Sequence, residues 1–273
     1  MAQGYTPRAA IDLMIAYGLT ERRTRLQTAR ELLNASARPS QASARSSART
    51  RAREGLDERP ALDVTEQDIA RWQTALSRRP SLLAKLARER GWRYETIRAL
   101  ELGLDRGRIT IPIRDAQGEL RGLLRYKPAG RPKMLAELGS RVGLIPHPTA
   151  ETSEQILLVE GPPDMIAARS RGLPAIAVPG DHAWRSTWGD LLAGRHVTIV
   201  MDADTQGRAA ARRISANLAN HAHPRIVELA PLRDDGYDLT DWLLEHASLA
   251  HEDLHAQLVA VHTANAPQAA RLR

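Results

Sequence analysis

The chain has 273 residues and a formal net charge of +7, from 39 Lys and Arg against 32 Asp and Glu. It contains no cysteine, which excludes disulfides and thiolate-bound zinc or iron–sulfur sites and suits a reducing cytoplasm. No apolar run approaches the roughly 20 residues that span a bilayer, and the first residues lack the apolar core of a signal peptide. The basic balance favours polyanionic partners, although a coding bias that replaces Lys by Arg would explain it equally well.

The first third of the chain is predicted to be helical with one interruption. Residues 8–34 show helical periodicity, and residues 35–60 are rich in Ser, Ala, Arg and Pro, which predicts a flexible linker. From Thr65 to Leu104 the pattern is helical again, and Thr65 with Asp68 forms a capping-box pattern at its start.

A hairpin is predicted next. Residues 109–113 alternate in hydrophobicity, residues 115–118 contain the turn signals Asp and Gly, and residues 120–126 supply the return strand. Together with the preceding helices, this hairpin predicts a small, basic α+β subdomain over residues 65–148.

Strands and helices alternate from residue 156 onward, which predicts an α/β domain with a parallel sheet and helices on both faces. The predicted strands are 156–160, 174–178, 196–201 and 224–229. The predicted helices are 163–171, 184–193, 206–220 and about 239–247, with a short helical tail to about 263.

Acidic residues directly follow two of these strands. The run 156–159 leads into Glu160 and Asp164, and the run 196–201 leads into Asp202 and Asp204. Carboxyl ends of parallel strands are the edge where open α/β sheets build their sites. Because clustered carboxylates repel one another unless a hard cation lies between them, this pattern predicts a divalent-metal site for phosphoryl chemistry.

Glycines follow the acids and have a physical role. Gly161 lets the chain turn sharply off its strand, and Gly207 opens the helix after the acidic turn. Simpler roles exist for single residues: Asp204 could cap a helix, and Glu160 could form a surface salt bridge. The complete pattern, E-G-x-x-D after one strand and D-x-D-x-x-G after another, is more specific than either.

This pattern resembles the Toprim domain that bacterial primases, topoisomerases, recombination mediators and small nucleases share. The resemblance implies that Glu160, Asp202 and Asp204 hold Mg²⁺ or Mn²⁺ for nucleotidyl transfer or phosphodiester cleavage. The positions that support the motif, including a second-strand loop at 178–180, are Gly161, Asp164, Gly180 and Gly207.

The flanking segments resemble those of DnaG-type primases. Residues 107–145 are similar to the basic subdomain that precedes Toprim there, whose Arg and Lys side chains line the groove for template and primer. The matching positions are Arg125 and Lys133, with Arg108, Arg114 and Lys127 as further nucleic-acid-binding candidates. Residues 236–243 resemble the K-D-x-x-[DE]-x-L segment that ends many primase Toprim domains, which implies Asp238 as an additional metal ligand. The Lys of that segment is Tyr237 here.

The zinc ribbon of such primases has no counterpart in this sequence, so no zinc is expected. Residues 8–34 resemble the helical tail that follows the ribbon, which suggests a lost zinc module or one supplied by another polypeptide; an unrelated helical hairpin would look the same. No G-x-x-x-x-G-K-[ST] motif occurs, so any replicative helicase would be a separate partner.

The resemblance predicts a cytoplasmic enzyme of a phage or mobile element that makes RNA primers on single-stranded DNA from nucleoside triphosphates. The alternatives are a Toprim nuclease and a nucleic-acid-binding replication module without catalysis. The chain is predicted to consist of five segments: a helical N-terminal segment (1–34), a linker (35–60), the basic subdomain (65–148), the Toprim domain (153–247) and a helical, loose C-terminal tail (248–273).

Overall fold

A computed structural model describes residues 60–180, 183–251, 253–254 and 256–258. The predicted N-terminal helical segment, nearly all of the predicted linker and the end of the tail lie outside the described residues. Within the described part of the chain, no helix has the length and apolar character needed to cross a membrane.

Three helices come first: α1 (Glu66–Ser77), α2 (Pro80–Arg90) and α3 (Tyr94–Ala99). The predicted capping box is confirmed, since Asp68 N donates to Thr65 Oγ1 at 3.2 Å and Thr65 N donates to Asp68 Oδ2 at 3.0 Å. Gly91 ends α2 in the left-handed conformation, with φ of 67°, which a glycine adopts without steric cost.

The predicted hairpin is confirmed and extended on both sides by short strands. The strands are β1 (Gly103–Asp105), β2 (Arg108–Arg114), β3 (Leu120–Tyr126) and β4 (Met134–Ala136). They form an antiparallel sheet in the order β1-β2-β3-β4, with Ile109 opposite Tyr126 in the central pair. Helix α1 covers this sheet through Ile69 and Trp72, which pack with Leu123.

The second sheet is parallel, as the sequence predicts, with the strand order β6-β5-β7-β8. Its elements are β5 (Gln155–Val159), α4 (Pro162–Ser170), β6 (Ala175–Ala177), β7 (His196–Val200), α5 (Thr205–Leu218), β8 (His223–Ile226) and a following α6 (Leu239–Glu245). Alternate residues of β5 face opposite sides of the sheet. Leu157 and Val159 join the cluster that includes Met165 of α4, and Ile156 and Leu158 join the cluster that includes α5. The sheet is therefore flanked by helices on both faces.

The helix predicted at 184–193 is wrong. Two 3-10 turns occupy this segment, Ser186–Trp188 and Asp190–Leu192. Trp188 and Leu192 are both buried, and their spacing of four imitates a helical face. Gly189 lies between the turns, and a Cβ there would come within 2.7 Å of a carbon of the His221 ring. The backbone hydrogen bonds of this segment join residues three apart, such as Leu192 N to the Gly189 carbonyl at 3.0 Å, so the chain winds as 3-10 turns and not as an α-helix.

One hydrophobic cluster runs through both sheets. It joins Leu76 and Trp92 of the helical region, Ile111 of β2, Met165 of α4 and Trp242 of α6. Hydrogen bonds strengthen the junction, because Trp92 Nε1 donates to the Pro163 carbonyl at 3.2 Å. The first sheet and its helices are thus packed beside the start of α4, which follows the first acidic motif. The predicted domain boundaries stay a prediction.

Candidate active site

Glu160 and Asp202 lie side by side at the carboxyl edge of the second sheet. Each follows a strand, and the last residues of these strands, Val159 and Val200, are partners in the parallel ladder. The backbone N–H of Asp202 donates to Glu160 Oε2 at 3.2 Å. Strand pairing therefore brings together two acids that are 42 positions apart in the sequence.

Asp204 is the N-cap of α5. Its Oδ1 accepts a hydrogen bond from the backbone N–H of Gly207 at 2.7 Å. A Cβ at position 207 would lie 2.3 Å from the carbonyl oxygen of Asp202, so only glycine fits. The capping role is compatible with metal ligation, because a carboxylate has two oxygens that each accept more than one partner.

Asp164 lies in the first turn of α4 and is only 6% exposed. Its Oδ1 accepts hydrogen bonds from the backbone N–H and the hydroxyl of Thr240, at 3.1 Å and 2.6 Å. Burial, with a smaller contribution from the charge of Asp238, raises the pKa of Asp164 to about 7, although the bonds from Thr240 oppose this rise. Asp164 therefore fastens α4 to α6 beneath the acidic edge.

Asp238 is the N-cap of α6 and forms a capping box with Asp241, whose backbone N–H donates to Asp238 Oδ1 at 2.8 Å. The backbone carbonyl of the preceding residue, Tyr237, accepts a hydrogen bond from the backbone N–H of Ala203 at 2.8 Å. This bond holds the segment against the end of β7. Burial raises the pKa of Asp238 above its ordinary value.

The acidic side chains act on one another electrostatically. The pKa of Asp202 is raised to about 10, first by burial and then by the negative charges of Glu160, Asp164, Asp238 and Asp204. The structure thus brings together all the acids that the sequence singles out. Such a cluster holds a proton or attracts a cation, because its members cannot all ionise cheaply in a partly buried place.

The donor chemistry of this cluster fits a hard divalent cation, because carboxylate oxygens are the ligands that Mg²⁺ and Mn²⁺ prefer. Within the described ranges, however, no three His, Cys, Asp or Glu side chains are already arranged to hold a metal ion. Binding of such an ion would therefore require the acidic side chains at this edge to move.

Two basic residues act electrostatically on Asp238. The positive charges of Arg90 and Lys133 partly offset the rise in its pKa that burial causes. Arg90 ends α2, and its guanidinium lies over the Tyr126 ring, 5.9 Å from the centroid. Arg90 is not among the residues that the sequence pattern predicts for the site; its local signal is its place in the basic last turn before Gly91.

Arg125, predicted to bind nucleic acid, is engaged within the protein. Its Nε donates to Glu137 and its Nη1 to Asp105, each at 2.6 Å. The guanidinium carbon lies 5.0 Å from the centre of the Trp72 ring, and the side chain is only 11% exposed. Its charge is therefore neutralised by two carboxylates and covered by an aromatic face.

The other basic candidates differ in whether their side chains are already paired within the protein. Arg114 forms ion pairs with Glu66 and Glu101, which raise its pKa, and Arg108 Nη1 donates to the Pro132 carbonyl at 3.2 Å. Lys127 and Lys133 lie in the connection between β3 and β4, and both are exposed. Neither forms an ion pair within the described residues.

Comparison with known proteins agrees with this geometry. Residues 157–242, which contain the whole acidic edge, match the family described as Toprim-like. These residues therefore form a Toprim-like domain. The chain is also 32% identical, over 94 residues, to the Gene 57 protein of Mycobacterium phage D29. That match covers 33% of this chain and 61% of the phage protein, so the chain spans less than two thirds of that relative.

Solved structures extend the likeness beyond the Toprim-like domain. A DnaG primase catalytic domain bound to single-stranded DNA matches with a TM-score of 0.55 and 19% identity, over 70% of this chain and 75% of that one. A structure of the Aquifex aeolicus primase that contains its zinc-binding and RNA polymerase domains matches with a TM-score of 0.50 and 19% identity. The match covers 72% of this chain and 62% of that one. The chain therefore has the fold of a DnaG-type primase catalytic core, as the resemblance predicts.

Proposed function

We propose that this chain is a primase-type nucleotidyltransferase, which joins ribonucleotides into short primers on single-stranded DNA. The observation that carries the proposal is the cluster of carboxylates at the carboxyl edge of the Toprim-like sheet, set within a primase-core fold. The relative in a mycobacteriophage supports a phage or mobile-element origin. One of the similar primase domains is described as bound to single-stranded DNA, which supports the same template here.

The reaction would form a bond between the primer 3′ oxygen and the α-phosphorus of a nucleoside triphosphate, and pyrophosphate would leave. Glu160, Asp202 and Asp204 would hold Mg²⁺ or Mn²⁺, with Asp238 as an added ligand. Such an ion, when bound, lowers the pKa of a hydroxyl and neutralises phosphate charge. Asp164 would keep the edge in place through Thr240 and is not assigned a direct contact with substrate.

Positive charge for the substrate phosphates would come from residues beside the acids. Arg90 and Lys133 act electrostatically on Asp238, which supports a role for them in binding a triphosphate at the site. Lys127 and Lys133 would contact the template backbone, giving affinity that depends on salt and little on sequence. Arg108, Arg114 and Arg125 would chiefly hold the first sheet in shape. A zinc-module protein and a replicative helicase are the expected partners in a replication complex.

Primer synthesis tests this proposal directly. The chain is incubated with single-stranded DNA, labelled ribonucleoside triphosphates and Mg²⁺ or Mn²⁺, and the products are resolved by length. Short labelled RNA is expected, and Asp202→Asn should reduce it at least about 100-fold, because the variant loses a charged ligand at the site. Asp63→Asn is the matched control, since Asp63 is exposed and lies before α1.

Other outcomes would overturn the assignment in different directions. Cleavage of the DNA in place of primer synthesis, abolished in Asp202→Asn, would make the chain a Toprim nuclease. Binding of single-stranded DNA without either product, with or without a zinc-module protein, would make it a non-catalytic replication module.

A further inference from the structure

Four polar side chains form a patch at the amino ends of β7 and β8, away from the acidic edge. His196 is the ladder partner of His223, and Thr198 is the partner of Arg225. Because side chains two residues apart share one face of a strand, all four point to the same side of the sheet. His196 precedes Asp202 by six residues, so at about 3.3 Å per residue the patch lies roughly 20 Å from the carboxylates.

The two histidines present their rings to solvent as a pair. Their ring centroids are 4.9 Å apart and the ring planes are inclined by 28°, so the rings stack. Both residues are exposed. Each imidazole has at least one N–H, and at this separation both can donate to different oxygens of one tetrahedral group.

Arg225 is fixed beside the histidines with part of its donor capacity unused. Its Nη2 donates to Thr198 Oγ1 at 2.9 Å, which orients the guanidinium on the sheet face. Its buried Nε has no hydrogen-bond partner within the described residues. A guanidinium has five N–H donors, so its terminal nitrogens keep N–H groups that can bind a further acceptor.

These residues line part of an open depression of about 890 Å³, which also reaches Ser215 of α5 and Ala219 directly after that helix. Gln155, the ladder partner of His196 in β5, adds a side-chain amide that can donate hydrogen bonds on the same face. None of the described residues that line the depression is Asp or Glu. Among the described lining residues, the depression therefore has several hydrogen-bond donors, one fixed positive charge and no carboxylate that would neutralise it.

We propose that this depression, which we call the amino-edge patch, binds a phosphate group through Arg225, His196 and His223. A guanidinium and two imidazole N–H groups suit a phosphate, whose oxygens accept several hydrogen bonds at once. The phosphate can belong to a free nucleotide or to a nucleic-acid backbone, since both present the same oxygens. The inference does not depend on the proposed polymerase activity, because the patch shares no residue with the acidic edge.

Nuclear magnetic resonance of the histidine rings tests the proposal on the full chain. Ring C–H signals of His196 and His223, assigned with His196→Ala and His223→Ala, are followed in chloride buffer with EDTA. Without metal, the acidic edge repels phosphates, so binding there does not confuse the result. The titrants are inorganic phosphate, a ribonucleoside triphosphate and a single-stranded oligonucleotide.

Saturable shifts of both rings with at least one titrant are expected. Tighter binding of the triphosphate and inorganic phosphate than of the oligonucleotide would identify a free-phosphate site. The reverse order, by about tenfold or more, would identify a backbone contact. Arg225→Gln should weaken the effect at least about tenfold, because it removes the one fixed positive charge among the described residues that line the depression.

Arg212→Gln is the matched control, since Arg212 is an exposed arginine of α5 that does not line the depression. Thermal unfolding confirms that both variants are folded. If Arg225→Gln fails to fold, His223→Ala serves instead, read at the His196 signal. The proposal is overturned if no titrant shifts the two rings saturably, or if Arg212→Gln weakens binding as much as Arg225→Gln.

Discussion

Thr240 donates two hydrogen bonds to one oxygen of Asp164, and the two residues are 76 positions apart in the sequence. Both side chains are buried, and Thr240 has no exposed surface. This contact fixes the start of α6, and with it Asp238, relative to α4 and Glu160. The geometry of the acidic edge therefore depends on a neutral residue that is not part of the acidic motifs.

Thr240→Val keeps the shape of this side chain and removes the hydroxyl donor. We expect the free energy of unfolding to fall by about 1–2 kcal/mol, because a buried carboxyl oxygen loses a partner. Urea denaturation at pH 8 measures the change. Thr205→Val is the control, since the Thr205 hydroxyl also donates to a carboxylate, that of Asp234, but on the surface. A decrease no larger than that of Thr205→Val would contradict a structural role for the buried contact.

The stability of the metal-free protein should decrease with rising pH. Burial and neighbouring charges raise the pKa of Asp164 to about 7 and that of Asp202 to about 10, whereas both groups titrate near 4 when unfolded. The folded state therefore binds more protons, and the stability that these groups contribute below about pH 4 is lost as pH rises through 7 and towards 10. Each such group gives a slope of up to about 1.4 kcal/mol per pH unit.

Unfolding in EDTA between pH 6 and 9 measures this slope, and Asp202→Asn should flatten it because the amide does not titrate. Added Mg²⁺ should stabilise the protein more at pH 9 than at pH 6, since the ion binds ionised carboxylates. A stabilisation by Mg²⁺ that is independent of pH, or retained in Asp202→Asn, would argue against this cluster as the binding site.

Arg125→Leu should destabilise the protein by about 2–4 kcal/mol, because it leaves the carboxylates of Asp105 and Glu137 without their shared partner. Arg121→Leu is the control, since Arg121 pairs with Asp115 in a more exposed position. The midpoints of urea denaturation give both values. Equal destabilisation in the two variants would show that the buried arrangement around Arg125 adds nothing to stability.

Lys127→Ala combined with Lys133→Ala should weaken binding of single-stranded DNA and reduce its salt dependence. The slope of log K against log salt concentration should become shallower by about 0.7 for each phosphate that the protein no longer neutralises. Fluorescence anisotropy at several salt concentrations measures the slope. Lys85→Ala together with Arg88→Ala, on α2, removes the same charge elsewhere and should leave the slope nearly unchanged. If both double variants changed the slope equally, DNA binding would depend on the net charge of the protein and not on Lys127 and Lys133 in particular.

Sequence patterns predict those parts of this protein that depend on neighbours along the chain. The alternation of strands and helices locates the parallel sheet, and the position of Glu160 and Asp202 after their strands is enough to place them at one edge. The 3-10 turns around Gly189 are missed because two buried residues spaced by four look the same in either kind of helix. The roles of Arg90 and Thr240, and the carboxylates that surround Arg125, depend on packing between distant segments. No local pattern specifies such packing.

Position 207 has a consequence for engineering. Glycine in the first turn of a 14-residue helix is usually a candidate for replacement by alanine, because alanine favours the helical conformation. Here the added methyl group would collide with the carbonyl of Asp202 and displace the loop that presents both aspartates. The rule that alanine stabilises a helix therefore fails at this one residue, because the collision would cost stability as well as the arrangement of the aspartates. A library meant to improve stability should leave Gly207 fixed while varying the exposed Gln206 beside it.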